Sequence, residues 1–211
     1  MKSTSLPSFS AAKSAGFTLL ELMFALAVAA VLIGLAAPNM RSFILNNRIS
    51  STANELLRSI QTARTEASKR QQSVVICFAS NLTSPSCVKT NYTGWFIFED
   101  SNKDLSYTSG EPVLEIHSFE SDKIKILADN DDLVSYDSTG FRTVSSKNST
   151  AMVVCDSRGN VDGSGGTTGA SVARGIVINK TGHARITRTI DSTTDSYDIS
   201  DLLTTYIGSS C

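Results

Sequence analysis

One segment limits what this chain can become. From residue 22 to residue 37 every side chain is apolar or glycine (LMFALAVAAVLIGLAA), and the apolar character reaches back to Phe17 with only Thr18 and Glu21 interrupting it. As a helix, residues 17–37 would extend about 30 Å, the hydrocarbon thickness of a bilayer. A helix apolar on every face is either buried deep in a core or spans a membrane, and the span is the reading that fits. Composition narrows the remainder. An apolar content of 41% over 211 residues excludes a disordered chain and leaves enough for one ordinary core. With 19 Lys and Arg against 20 Asp and Glu, no overall field holds the chain to phosphates, so any nucleic-acid site must be local. Two His and four scattered Cys do not make a zinc-finger array.

The flanks of the apolar run orient it. Residues 1–16 carry Lys2 and Lys13 and no acid, which places the N-terminus in the cytoplasm and the chain after residue 37 outside it. Ala36-Ala37-Pro38 has the look of a secretory cleavage site, but an ionisable Glu21 inside the run makes a poor signal core. A carboxylate in an apolar helix costs several kcal/mol unless it is paired or near the membrane surface, so it signals function by default. Glu21 lies in the first turns, where the helix dipole favours an anion. The bland alternative is a carboxylate that merely reaches the headgroups.

The segment Gly16-Phe17-Thr18-Leu19-Leu20-Glu21-Leu22 resembles the prepilin signature of type IV pilins and type II secretion pseudopilins. In that signature a Gly precedes the cut, Phe is the first mature residue and Glu the fifth. Pro38 falls where that family has a helix-kinking proline. The resemblance implies cleavage between Gly16 and Phe17 by prepilin peptidase, N-methylation of Phe17, and retention of the apolar helix as an assembly stem. It implies further that Glu21 pairs with the amino group of a neighbouring Phe17 in a filament. The partners so implied are other major and minor pilins or pseudopilins, prepilin peptidase and the bacterial inner membrane. The head would be periplasmic before the subunit enters a pilus or pseudopilus.

Beyond Pro38 the periodicity resumes. Ile49, Ala53, Leu56, Leu57, Ile60, Ala63, Arg64 and Ala67 follow spacings near three and four, an amphipathic stripe suited to lie against a sheet. The pattern predicts a leader over residues 1–16, a transmembrane and assembly helix over 17–37, an amphipathic half-stem over 38–72 and a β-rich head over 73–211. Strands are expected at 74–79, 95–99, 113–117, 123–127, 151–155, 174–179 and 183–188, with Trp95 in the core. The fold class is α+β: a long N-terminal helix packed on a small antiparallel β-rich head, pilin-like. The stretch 156–171, with Asp162-Gly163-Ser164-Gly165-Gly166, lacks the G-x-G-x-x-G spacing of a phosphate cradle and reads as a mobile hairpin loop. Several head segments look like the GspH/FimT branch of minor pilins. They are Gly94-Trp95-Phe96-Ile97-Phe98-Glu99-Asp100 with Gly110-Glu111-Pro112-Val113-Leu114, Tyr136-Asp137-Ser138-Thr139-Gly140, Val154-Cys155-Asp156, and Ala173-Arg174-Gly175-Ile176-Val177-Ile178 followed by Gly182-His183-Ala184-Arg185.

Three candidate chemistries follow. Cys77, Cys87, Cys155 and Cys211 would lie in an oxidising compartment, where disulfides form. Three pairings are open, and Cys77 with Cys87 and Cys155 with Cys211 are favoured; the second, longer closure is worth on the order of 4 kcal/mol. Asp100, Asn102, Asp104 and Glu111 stand at positions 1, 3, 5 and 12 of a Ca2+ loop. Leu105 occupies the sixth position, where a sharp turn wants Gly, and the same spacing suits an Asx-rich hairpin turn. No other cofactor is expected.

Some members of the resembled branch bind DNA through Gly-Arg-x-Arg in the last hairpin. Here Gly182-His183-Ala184-Arg185 keeps only the second Arg. Arg174, Lys180, His183, Arg185 and Arg188 form a local basic patch, followed by Asp191, Asp195, Asp198 and Asp201 with no compensating base. No enzyme is expected: His117 and His183 show no nucleophile or carboxylate constellation in the sequence. The function expected is a structural minor pilin of a type IV pilus, at its tip or initiation complex. The alternatives are a GspH-like pseudopilin of a type II secretion system and a DNA-binding minor pilin of natural transformation.

Overall fold

A computed structural model describes residues 16–88, 91–128, 133–143, 149–158 and 173–187, without the side chains of residues 35–39 and 149. Among these residues one helix, α1 (Leu19–Arg70), is followed by eight strands: β1 (Ser73–Ala79), β2 (Gly94–Asp100), β3 (Val113–Ser118), β4 (Ile124–Ala128), β5 (Leu133–Tyr136), β6 (Ser149–Asp156), β7 (Arg174–Asn179) and β8 (Ala184–Thr187). Contacts divide the chain into two units, Met1–Phe43 and Ile44–Cys211.

Both ends of α1 are capped by local chemistry. Thr18 precedes the first turn, and its Oγ1 accepts the N–H of Glu21 at 3.2 Å, which satisfies one of the donors a helix start leaves open. At the other end Gln71 adopts φ +57° and the Gln72 N–H reaches back to the Ala67 carbonyl at 3.3 Å. This is the wrap-back of a Schellman cap, made without the usual glycine. Lys69 and Arg70 complement the dipole in the last turn.

In the first unit every described side chain of the helix is exposed. Phe17 is 83% exposed, and Leu20, Phe24, Leu32 and Phe43 are exposed like it. Among the described residues no helix is long and apolar enough to cross a membrane. The unbroken apolar run of α1 with described side chains covers residues 22–34, fewer than the roughly 20 residues that a span needs; residues 35–37 complete that run in the sequence. The bend expected at Pro38 falls on residues 35–39, whose side chains lie outside the described set.

In the second unit the stripe does what its spacing predicts. Ile49, Ala53, Leu56, Ile60, Ala63 and Ala67 are buried, Leu57 packs against them, and Arg64 sits at the margin, half-buried. They meet two antiparallel sheets, ordered β3-β2-β1-β5 and β4-β6-β7-β8. Alternate residues of each strand face the helix: Ile76, Phe78, Trp95 and Tyr136 from the first sheet, Ile126, Met152, Val154 and Ile176 from the second. The first sheet is buried on its outer face as well, where Val75, Cys77, Phe96 and Phe98 lie under Leu82, Cys87, Leu105 and Tyr107. Tyr107 sets its edge on both rings, 5.4 Å from Phe96 and from Phe98.

Seven expected strands stand within two residues of their expected bounds. The eighth, β5, is a correction. Its four residues Leu133-Val134-Ser135-Tyr136 are too few to signal a strand, yet they pair with β1 in the middle of the register, Val75 opposite Ser135. The expected hairpin loop at 156–171 lies outside the described residues from position 159 on.

Candidate functional site

The processing and assembly residues stand at the start of α1. Gly16 and Phe17 precede the first turn in non-helical backbone, and a Cβ at Gly16 would meet nothing within 4 Å. Glu21 is the acidic residue of the first turn and is exposed. With Thr18 as cap it completes the Thr-x-x-Glu order of a capping box. The neighbour expected for its carboxylate belongs to another subunit.

The expected Ca2+ ligands are brought together, and the backbone already uses their oxygens. Asp100, fully buried, accepts the N–H of Asp104 at 3.2 Å on Oδ1 and of Leu105 at 3.1 Å on Oδ2. Glu111 accepts Ser101 N–H at 3.0 Å and Thr108 N–H at 2.8 Å. Asn102 accepts Asp104 N–H at 3.0 Å, and Asp104 accepts Ser106 N–H at 2.8 Å and the Asn102 amide at 2.9 Å. Lys103 and Leu105 take φ of 61° and 64°, so Leu105 adopts the left-handed turn that the position demands and still packs on the outer face of the first sheet. The spacing is thereby accounted for by a self-bonded turn. Among the described residues no group of three or more His, Cys, Asp or Glu is placed to hold a metal.

The favoured short disulfide is present: Cys77 and Cys87 are bonded, Cα atoms 5.4 Å apart, and the bridge holds the segment after β1 onto that strand's outer side. Cys155 is buried and not free. Its expected partner, Cys211, lies outside the described residues.

The basic patch is dispersed. Arg174 begins β7 and is half-buried, with Nη1 on the Ala173 carbonyl at 3.1 Å. Lys180 and His183 are exposed in the β7–β8 turn, and Arg185 projects from β8 opposite Val177, away from α1. Arg188 lies outside the described residues. The turn itself is structural: Asn179 Oδ1 accepts His183 N–H at 2.9 Å and the Thr181 hydroxyl at 2.7 Å.

Two constellations escape a sequence reading. His117, on the helix-facing side of β3, stacks on Trp95 with ring centroids 5.5 Å apart. Its Nδ1 is 3.0 Å from Glu55 Oε1 of α1 and its Nε2 3.1 Å from Glu115 Oε2. The expectation that His117 has no carboxylate constellation is thus corrected. Because Glu55 stands 62 positions away, no spacing rule could find it. No nucleophile joins this group in the described contacts, and it ties an edge strand to the helix. Trp95 Nε1 donates to Ser59 Oγ at 2.9 Å, a second tie to α1.

The other constellation joins the sheets. Tyr136 donates its hydroxyl to the Gly182 carbonyl at 3.1 Å. Arg64 Nε donates to the Gly140 carbonyl at 3.0 Å. Gly182 has φ +83°, and a Cβ there would lie 2.7 Å from the Tyr136 ring and 2.9 Å from the Gly140 oxygen. Burial pushes the Tyr136 hydroxyl well above its ordinary value against the pull of Arg64 and Arg142, so it remains a neutral donor. In the turn between, burial alone would raise the Asp137 carboxyl. Hydrogen bonds from the Thr139 hydroxyl and from the N–H groups of Thr139, Phe141 and Gly140 outweigh it and hold that carboxyl below its usual value.

Comparison with known proteins places these features. The family described as type II transport protein GspH matches residues 52–182. The prokaryotic N-terminal methylation motif matches residues 11–37. Among solved structures, the type IV minor pilin FimU of Pseudomonas aeruginosa PAO1 is similar in two crystal forms. One is 17% identical, with 70% of this chain and 99% of that chain covered and a TM-score of 0.45; the other is 18% identical, with 74% and 99% covered and a TM-score of 0.46. No curated protein matches the chain.

Proposed function

The chain belongs to the family of the type II transport protein GspH, and on that footing we propose how it works as a minor pilin or pseudopilin, a structural subunit and not an enzyme. Prepilin peptidase cuts after Gly16 at the cytoplasmic face of the inner membrane, and Phe17 becomes the N-methylated terminus. The head then stands in the periplasm until residues 17–37 leave lipid for the core of a filament. There Glu21 meets the cationic terminus of a neighbouring Phe17, a pairing that relieves the penalty of an isolated carboxylate in an apolar medium.

The supporting observation is the division of labour along one helix. Its first part presents apolar side chains that are exposed among the described residues, with a single carboxylate in the first turn. Its second part buries one stripe beneath two sheets. A segment of that kind is built to exchange one apolar surrounding for another.

Glu21→Ala tests the proposal. The variant should be cleaved and remain in the membrane fraction, and should be lost from sheared filaments; undiminished incorporation refutes the role. The filament is read first as a type IV pilus, with this subunit at the tip or initiation complex. A second reading, the pseudopilus of a type II secretion system, is favoured by the description of the matching family. Loss of twitching on deletion supports the first, and loss of exoprotein release supports the second.

A further inference from the structure

We propose that the free edge of β3 receives an extended strand of a neighbouring filament subunit, one that carries an apolar residue on its outer side and a lysine or arginine on its inner side. The inference rests on the reading of the chain as a filament subunit, and it adds to the stem a second place of contact, on the head.

Backbone pairing gives the first argument. β3 stands at one end of the order β3-β2-β1-β5. The Phe119 N–H donates across to the Thr93 carbonyl at 3.1 Å, and Glu115 and His117 stand opposite Ile97 and Trp95 in the same ladder. In an antiparallel pair alternate residues turn both of their backbone groups to the same neighbour. Glu115, His117 and Phe119 therefore direct theirs to β2, and Ile116 and Ser118 direct theirs away from it. Among the described residues no hydrogen bond meets the N–H or C=O of Ile116 or of Ser118 on that side. Such a row is a template for another strand.

Side chains show that this edge is left open. Edges that must stay bare are guarded by lysine, by proline or by a bulge. β4, at an edge of the second sheet, follows that rule with Lys125 exposed between Ile124 and Ile126. On β3 the bulge lies at Ile97/Phe98 and Pro112 precedes the strand, so both guards stand at its N-terminal end. Residues 115–118 continue in regular register without Lys, Arg or Pro. Their outer side chain, Ile116, is 49% exposed, while Phe96 opposite it is fully buried.

Charge on the inner side selects the partner. Glu115 and Glu55 hold the His117 ring between them, at 3.1 Å and 3.0 Å, and their side chains stay 41% and 40% exposed. Among the described residues no Lys or Arg pairs with either carboxylate. A strand laid beside residues 115–118 meets these two acids on one side and Ile116 on the other. Cross-strand pairing there rewards a base opposite the acids and an apolar side chain opposite the isoleucine. A second copy of β3 fits worse, because it brings two more carboxylates to the same place, and like charges across a ladder repel.

The test compares amide hydrogen exchange in the full-length protein, extracted from membranes in detergent, with exchange in sheared filaments, read by mass spectrometry with fragmentation that resolves single amides. The N–H groups of Ile116 and Ser118 should slow at least about tenfold on assembly, while those of Glu115 and His117, already paired with β2, change little. Equal exchange in both states, in filaments that contain the chain, overturns the added strand and leaves the filament reading intact. Filaments that lack the chain overturn both. Slowing that grows with the concentration of the extracted protein alone marks the pairing of two copies and overturns the basic partner. Glu115→Lys reverses the inner charge and should cut incorporation at least about tenfold; full incorporation overturns the charge argument. Where that variant does not fold, Glu115→Gln, which keeps an acceptor for His117, is read in its place, with a loss of at least about threefold expected and undiminished incorporation again overturning the charge argument.

Discussion

Replacing Tyr136 with Phe probes how the two sheets are held together, and the structure sets the size of the effect. Tyr136 is fully buried and its hydroxyl donates to the Gly182 carbonyl at 3.1 Å. Phenylalanine keeps the ring and leaves almost no cavity, so the loss is confined to one buried hydrogen bond and an orphaned carbonyl, about 1–2 kcal/mol. For a head of this size, each kcal/mol corresponds to about 2–4 °C in midpoint. A fall of about 2–8 °C is expected. The assay is built into the chain: Trp95 is its single tryptophan and is 0% exposed. Its fluorescence therefore follows unfolding of the head in detergent, whatever the stem does. Arg64→Gln removes the other donor at the junction, to the Gly140 carbonyl. Because Gly140 and Gly182 lie against one another, the double variant should depart from additivity by about 0.5 kcal/mol or more. Unchanged midpoints for Tyr136→Phe, or strict additivity of the pair, would refute the idea that these bonds form one junction.

Two further perturbations follow from the same geometry. At Gly94 a Cβ would stand 2.2 Å from the backbone oxygen of His117, and a backbone atom cannot step aside. Gly94→Ala should therefore cost about 2–3 kcal/mol and loosen β3, read as a lower Trp95 unfolding midpoint; a neutral outcome contradicts the β2–β3 register. Asp137 is held below its usual pKa by hydrogen bonds that outweigh the effect of burial, so its contribution is present above the unfolded value, about 4, and is lost as pH falls through the lower folded value. Asp137→Asn should destabilise the head by about 1 kcal/mol near pH 6 and by progressively less in acid. A difference from wild type that widens on acidification would show the sign to be wrong.

What the sequence could disclose follows the range of the interactions involved. The stem stripe is legible because a helix repeats its burial every three to four residues, and all six of its buried members sit at the expected spacing. The N-terminal methylation motif is legible because it is a run of contiguous residues. The closure at Cys77 and Cys87 spans a sequence separation of 10 and is favoured for its short loop. Beyond that range legibility fails. The pairing of His117 with Glu55 and of Tyr136 with Gly182 exists only after the helix docks and the sheets meet, and each side chain alone reads as an ordinary surface or core residue. β5 fails for another reason: four residues with Ser135 at the centre carry no alternation to detect, and only the place beside β1 makes them a strand.

Two head segments bear on the same point. Tyr136 to Gly140 and Gly182 to Arg185 are separate in the sequence and adjacent in space, and what unites them is packing. Gly182 must be glycine because it turns at positive φ against the Tyr136 ring and the Gly140 carbonyl, and Arg64 closes the group from the helix. The glycine of the last hairpin therefore needs no ligand to explain it. Arg185, three positions on, points to the opposite side of the sheet and takes no part in the junction. Gly182 is thus a structural requirement and Arg185 a surface feature. The junction thus fixes the course of the hairpin from one side of the second sheet, and Arg185 belongs to the other.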